Sequence, residues 1–229
     1  MGLVLQYMSI GVMCDLTPAF RLGERYHRRA VAVALPTGHP IALGFAHTGV
    51  AVHALSLGET QRTLDLCGAA AAAFREAGHI RGLGMALLLT AWTHQFRGDF
   101  TQAVQWAAHL VRLGEESSDR QILVWGLGVR GMLRQRTGLL DDAVADLEAA
   151  MELAKAMPDY AGLAQSAGVL GSCYLRRREV RRALEVLDEG TRVIAERGLR
   201  GMSVVWAPLV LAEAHILMLD EADGERRAT

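Results

Sequence analysis

Small residues return along this chain at a fixed step of forty. Gly11, Ala51, Ala91, Gly131 and Gly171 form one series. Gly58, Gly98 and Gly138, followed each time after five residues by Ala103 or its equivalents Thr63 and Ala143, form a second, and Ala183 extends it. A third, Gly38, Gly78, Ser118, Pro158 and Gly198, has the composition of a turn. A period of this length is the mark of a repeat architecture, in which one small unit cannot bury its apolar face alone and must stack on its neighbours.

Each unit divides into two helical stretches. Within residues 39–57, Ile41, Leu43, Phe45, Val50, Val52, Leu55 and Leu57 are apolar at helical spacing, Gly58-Glu59 breaks the pattern, and a second helix is expected over 60–77. The scheme returns as 81–97 with 99–116, 120–137 with 140–157, and 160–177 with 180–197. In the first unit, 3–14 and 18–35, Thr17 suits an N-cap and Pro18 a first helical residue. A last helix over 202–219 has no partner after it. The expectation is an all-α solenoid of about eleven helices. Five hairpins lie at about 1–38, 39–78, 79–118, 119–158 and 159–198, with a terminal helix at 201–219 and a polar tail at 221–229. Residues 1–220 read as one repeat domain. The series at 11, 51, 91, 131 and 171 lets the first helix of a pair touch the second at the near end of the usual ~8–10 Å separation. Glycine inside a helix costs about 1 kcal/mol against alanine, so its return there needs a packing gain of this kind.

The spacing of a small residue, seven positions to a turn glycine and five more to alanine resembles the tetratricopeptide repeat. Ala91…Gly98-Asp99-Phe100…Ala103, Gly131…Gly138…Ala143 and Gly171…Tyr174…Val180…Ala183 are the clearest copies. The likeness covers five repeats and a helix. It departs from the family in its period of forty rather than thirty-four, in lacking the tryptophan early in the first helix, and in keeping the tyrosine only at Tyr174. HEAT-like stacking also fits this period. The resemblance implies a right-handed superhelix whose first helices line a concave, peptide-binding face. Long-helix arrays of this kind resemble the C-terminal regions of bacterial LuxR-type and STAND ATPase regulators and of adenylate cyclase-linked ATPases. They imply a non-catalytic interaction or sensor module of a larger cytoplasmic signalling or transcription-regulatory protein. A small-molecule effector array and a scaffold self-assembling through its apolar ends are the alternatives. Both ends are apolar, 1–13 without a polar cap and 202–219 on nearly every side, so a longer parent protein or self-association is expected.

Composition narrows the chemistry. A formal net charge of −1 gives no general pull towards nucleic acid or anionic lipid, and neither is expected as a partner. Lys155 is the only lysine, and no G-x-x-x-x-G-K-[ST] is present. Cys14, Cys67 and Cys173 are far apart and read as reduced thiols. The apolar start lacks a basic n-region, and no run reaches membrane-spanning length without a polar break. The eight histidines form no H-E-x-x-H and no zinc spacing, so no metal or cofactor is expected, and His27 reads as packing at the repeat position of Cys67. Gly126-Leu127-Gly128-Val129-Arg130-Gly131 matches G-x-G-x-x-G, but the repeat register makes Gly131 a packing residue within a helix. No nucleophile-elbow sequence occurs, and no enzyme activity is expected. In the cluster Arg176, Arg177, Arg178, Arg181 and Arg182, the last two stand forty residues after Asp141 and Asp142, which predicts surface ion pairs between them.

Residues spaced i, i+3, i+7 and i+11 share one face of each first helix. Met85, Leu88, Trp92 and Phe96 form one row, Trp125, Gly128, Met132 and Arg136 the next, and Gln165, Gly168, Ser172 and Arg176 the third. The expected partner site is therefore Trp92, Phe96, Trp125 and Met132 as an apolar floor, with Arg136 and Arg176 as charge clamps. Gln95 and Gln135 lie beside it as partners for peptide backbone. Trp92 and Trp125 fit equally well as core residues.

Overall fold

The computed structural model describes residues 1–17, 19–157, 159–199 and 206–228. Eleven α-helices are present, with no strand among the described residues: α1 (Gly2–Leu16), α2 (Phe20–Ala34), α3 (Pro40–Ser56), α4 (Thr60–Glu76), α5 (Ile80–Phe96), α6 (Phe100–Ser117), α7 (Arg120–Arg136), α8 (Leu140–Lys155), α9 (Tyr160–Arg176), α10 (Val180–Arg197) and α11 (Trp206–Ala228). A 3-10 turn, Leu35–Thr37, follows α2. The helix starts repeat with the sequence. Asp99 and Asp159 accept a hydrogen bond from the backbone N–H three residues on, His79 Nδ1 does the same, and Asp119 accepts from Gln121 and Ile122. Thr17 does otherwise: its hydroxyl donates back to the carbonyls of Met13 and Cys14, so it closes α1 instead of capping α2. The N-cap of α2 is Ala19, without a side-chain bond, and Pro18 lies outside the described residues. Helix α11 runs on to Ala228, past the apolar stretch that ends at Leu219.

Two compact units form, 1–122 and 123–229, and the division falls within α7. In the first, α1 packs on α2, α3 on α4 and α5 on α6, while α1 also meets α3 and α3 meets α5. In the second, α8 packs on α9, α9 on α10, and α11 on both α9 and α10. Within each unit the first helix of a hairpin thus packs on both helices of the hairpin before it, as α3 does on α1 and α2 and α5 on α3 and α4.

The small-residue series has a specific purpose. A Cβ at Gly11 would sit 2.5 Å from His27 Cε1, and one at Gly131 would sit 2.6 Å from Leu147 Cγ. At Gly171 it would overlap Leu187. Each of these glycines is therefore the hole for the side chain sixteen positions on. Hole and knob are matched in size. Glycine faces His27, Leu147 or Leu187, whereas Ala51 and Ala91 stand where Cys67 and Ala107 are the equivalents. All of these side chains are buried. The close approach expected from the sequence is present as well, since the same Cβ at Gly131 would lie 3.2 Å from the Ala143 carbonyl oxygen. Gly126, Gly128 and Gly131 all lie inside α7.

Burial pushes the Cys67 thiol up to about 12 and the Cys173 thiol up to about 11, so both are neutral packing groups. Lys155 bridges Glu152 at 3.1 Å and Glu189 of α10 at 3.0 Å. Partial burial works against its charge, but the two carboxylates outweigh it and raise its pKa.

The turns after α3, α5 and α7 place Gly58, Gly98 and Gly138 at φ 78°, 77° and 85°. The fourth member is Arg178, at φ 61°. A left-handed conformation costs an L-residue roughly 1–2 kcal/mol that glycine does not incur. Arg178→Gly is accordingly expected to raise stability by about 1 kcal/mol in urea melts. A loss instead would mean that the arginine side chain contributes more than its backbone costs.

Candidate functional site

In the first unit, Met85, Leu88 and Trp92 are half-buried on α5, and Trp92 packs against Ala51, Cys67 and Leu89. Phe96, at the end of the same row, is 67% exposed. Gln95 is half-buried, and its Oε1 has no hydrogen-bond partner. In the second unit, Trp125 and Met132 are half-buried, with Met132 against the apolar cluster around Leu170 and Leu187. Arg136 and Arg176 are exposed. Helices α7 and α9 are tied at this end: Gln135 Nε2 donates to Ser172 Oγ at 2.8 Å, and Arg176 donates to the Gln135 carbonyl at 2.8 Å. Within the second unit the structure brings Gln135 and Arg176 together. Trp92 is tied into the core and carries less free surface than Phe96.

The arginine cluster pairs differently from its repeat register. Asp141 meets Arg177 at 3.1 Å, while Arg182 bonds Glu179 at 2.7 Å and Glu148 at 3.0 Å. Arg177 stands just after the last turn of α9, and from there it reaches the start of α8. Arg182 also lies over the Tyr174 ring, 4.3 Å from its centroid, and the Tyr174 hydroxyl donates to Glu148. Burial first, and then the Glu148 carboxylate, raise the Tyr174 pKa.

Two buried polar clusters have no counterpart in the sequence reading. In the second unit the Asp146 carboxylate accepts Arg130 Nε at 2.8 Å, Arg130 Nη2 at 2.7 Å and Arg134 Nη1 at 2.6 Å. This joins α7 to α8.

In the first unit Asp15, at the end of α1, holds two histidines. His27 Nε2 of α2 lies 2.8 Å from Asp15 Oδ2, and His53 Nδ1 of α3 lies 2.7 Å from Asp15 Oδ1. All three are buried. Glycines make the room: a Cβ at Gly49 would lie 2.9 Å from His27 Nδ1, and one at Gly23 would overlap the Asp15 carboxylate. The His27 ring is therefore clamped between Gly11 and Gly49. Burial lowers its pKa against the opposing pull of Asp15, which keeps the ring neutral at neutral pH. The other nitrogen, Nδ1, is buried without a hydrogen-bond partner. Beside the cluster opens a cavity of about 730 Å³, lined by α2, α3 and the start of α4, with His27 and His53 on its wall. Phe20, Val31, Leu35 and Val50 supply its apolar lining. At its mouth Arg28 pairs with Glu24 and Arg62 with Glu59.

Spacing could not reveal this cluster, because its members lie twelve and thirty-eight residues apart. The available signal was a break in the period. His27 corresponds to Cys67, Ala107, Leu147 and Leu187, and His53 to Thr93, Leu133 and Cys173.

Stacked two-helix units with a hole-and-knob contact sixteen residues apart are the architecture of tetratricopeptide-like repeat proteins, and that is the fold of this chain. The apo form of RapI superposes with a TM-score of 0.70 at 13% identity, over 85% of this chain and 71% of that one. A signal-transduction ATPase with numerous domains and a tetratricopeptide repeat sensor, from Pyrococcus horikoshii, superposes at 0.70 and 11% identity. It is matched over 94% of this chain but only 33% of its own. Aspartyl phosphate phosphatase F from Bacillus subtilis gives 0.65 at 11% identity, over 94% of this chain and 59% of its own. No protein-family model and no curated protein sequence matches the chain. No helix among the described residues is long and apolar enough to cross a membrane.

Proposed function

We propose that this chain is a non-catalytic interaction module that binds a peptide or protein partner through the exposed faces of its first helices. The observation that carries this reading is the exposure of large side chains at the ends of the first helices. Phe96 is 67% exposed in the first unit, and Arg136 and Arg176 are exposed in the second. Aromatic and arginine side chains are the residues that most often dominate such interfaces. Trp92, Trp125 and Met132 add half-buried apolar surface, and Gln95 and Gln135 add amide groups for a peptide backbone. The preferred ligands are an apolar segment at the first unit and an acidic one at the second. The natural setting is a larger signalling protein, as in the ATPase above whose repeat region is described as a sensor.

The test is selection from a random peptide library displayed on phage. Enriched peptides are expected to carry an apolar residue, or Asp or Glu. Phe96→Ala is expected to weaken the apolar ones at least tenfold, and Arg136→Ala the acidic ones, each with unchanged far-UV circular dichroism. These two variants suit the test better than Trp92→Ala, which also opens the core. Selected peptides that bind both variants as tightly as the parent would refute the assignment.

A further inference from the structure

We propose that Asp15, His27 and His53 bind one divalent transition-metal ion of the zinc type, reached from the cavity beside α2. The donor set comes first. Two imidazoles and one carboxylate suit zinc, cobalt or iron(II), whereas calcium and magnesium demand mostly oxygen ligands. Three protein ligands also leave a coordination position for water or a ligand group, as catalytic and exchangeable sites do.

Convergence is the second observation. One donor atom from each residue lies within 4.8 Å of the others, and each comes from a different helix. Zinc bonds of about 2.0–2.2 Å in tetrahedral geometry hold ligand atoms roughly 3.3 Å apart. The two imidazoles bond different oxygens of Asp15, Oδ2 at 2.8 Å and Oδ1 at 2.7 Å, so whichever oxygen ligates, its own histidine contact would open by about half an ångström and the other imidazole would close towards it.

Third, the first unit gives up packing to keep these groups. Three glycines, Gly11, Gly23 and Gly49, vacate the space that the His27 ring and the Asp15 carboxylate fill. The later repeats put Leu147 and Leu187 where His27 stands, so an apolar knob serves the fold equally well. A buried carboxylate between two imidazoles is costly unless it has a cation or full hydrogen bonding to hold it. The His27 ring keeps its orientation through the glycine clamp, although its Nδ1 has no partner. Access is the last element: His27 and His53 both line the cavity wall. The mouth arginines Arg28 and Arg62 are already paired with Glu24 and Glu59.

The test uses the whole chain, freed of metal by chelator dialysis and titrated with Co2+. One equivalent is expected to give the visible d–d absorption of low-coordinate cobalt, and one equivalent of Zn2+ is expected to abolish it. Asp15→Asn, His27→Gln and His53→Gln should each weaken Co2+ binding about 100-fold or more, since even outer-shell changes cost 10–100-fold. His39→Gln, an exposed histidine outside the cluster, should leave binding unchanged. Circular dichroism identifies any variant that fails to fold, and the parent titration stands without the variants. If the parent shows no d–d band and no competition by Zn2+, the cluster is a hydrogen-bonded pin only and the proposal falls. Uptake that survives in His53→Gln, or that is lost in His39→Gln, would overturn it equally.

Discussion

Urea melts of Gly171→Ala and Leu187→Ala are expected to show two destabilised proteins whose combination is more stable than the sum of its parts. A methyl group at position 171 overlaps Leu187, so the first variant forces a fully buried leucine out of its rotamer. Overpacking of this kind costs roughly 1–3 kcal/mol, partly offset by the helix preference of alanine. Leu187→Ala leaves a cavity and should cost about 2–5 kcal/mol. In the double variant the new methyl group enters the space that leucine vacated. This installs the residue pair that the period places at Ala91 and Ala107, both wholly buried. A coupling energy of about 1–3 kcal/mol in favour of the double variant follows. Strict additivity would mean that the two positions do not share one space.

Asp146→Ala should have an effect of similar size for a different reason. The carboxylate is 6% exposed, and its partners Arg130 and Arg134 are 21% and 25% exposed. Removing it leaves two neighbouring guanidinium groups with diminished access to water. The expected loss is about 3 kcal/mol, the lower end for breaking a buried ion pair because the arginines keep some hydration. Replacing all three at once, as Asp146→Leu with Arg130→Met and Arg134→Leu, should recover most of that loss, because no charge is then stranded. Denaturant midpoints of the single and triple variants decide the matter. A triple variant less stable than Asp146→Ala would show that the network contributes more than mutual neutralisation.

The stacking was legible in the sequence because each hairpin must solve the same contact, and only glycine or alanine leaves room for the residue sixteen positions later. Helix ends were legible where Gly58, Gly98 and Gly138 return at the turns between paired helices. Thr17 misled because a hydroxyl at a junction serves either helix equally well, and here it bonds backwards to Met13 and Cys14. The register paired Arg181 and Arg182 with Asp141 and Asp142, whereas Asp141 meets Arg177 and Arg182 bonds Glu179 and Glu148, since long side chains reach across a turn rather than along the register. Asp15, His27 and His53 stayed hidden for a plainer reason. Their meeting is purely tertiary, and a histidine at a packing position looks like any other filler until its partners are seen.

The solitary lysine has a practical corollary. Chemistry directed at side-chain amines finds a single address on this protein, Lys155, at the seam between the eighth and tenth helices. A fluorophore or tether placed there would sit at one known spot on every molecule. Because its amine is held charged by Glu152 and Glu189, coupling would run slowly and quicken as that seam loosens, making the label a local gauge of unfolding.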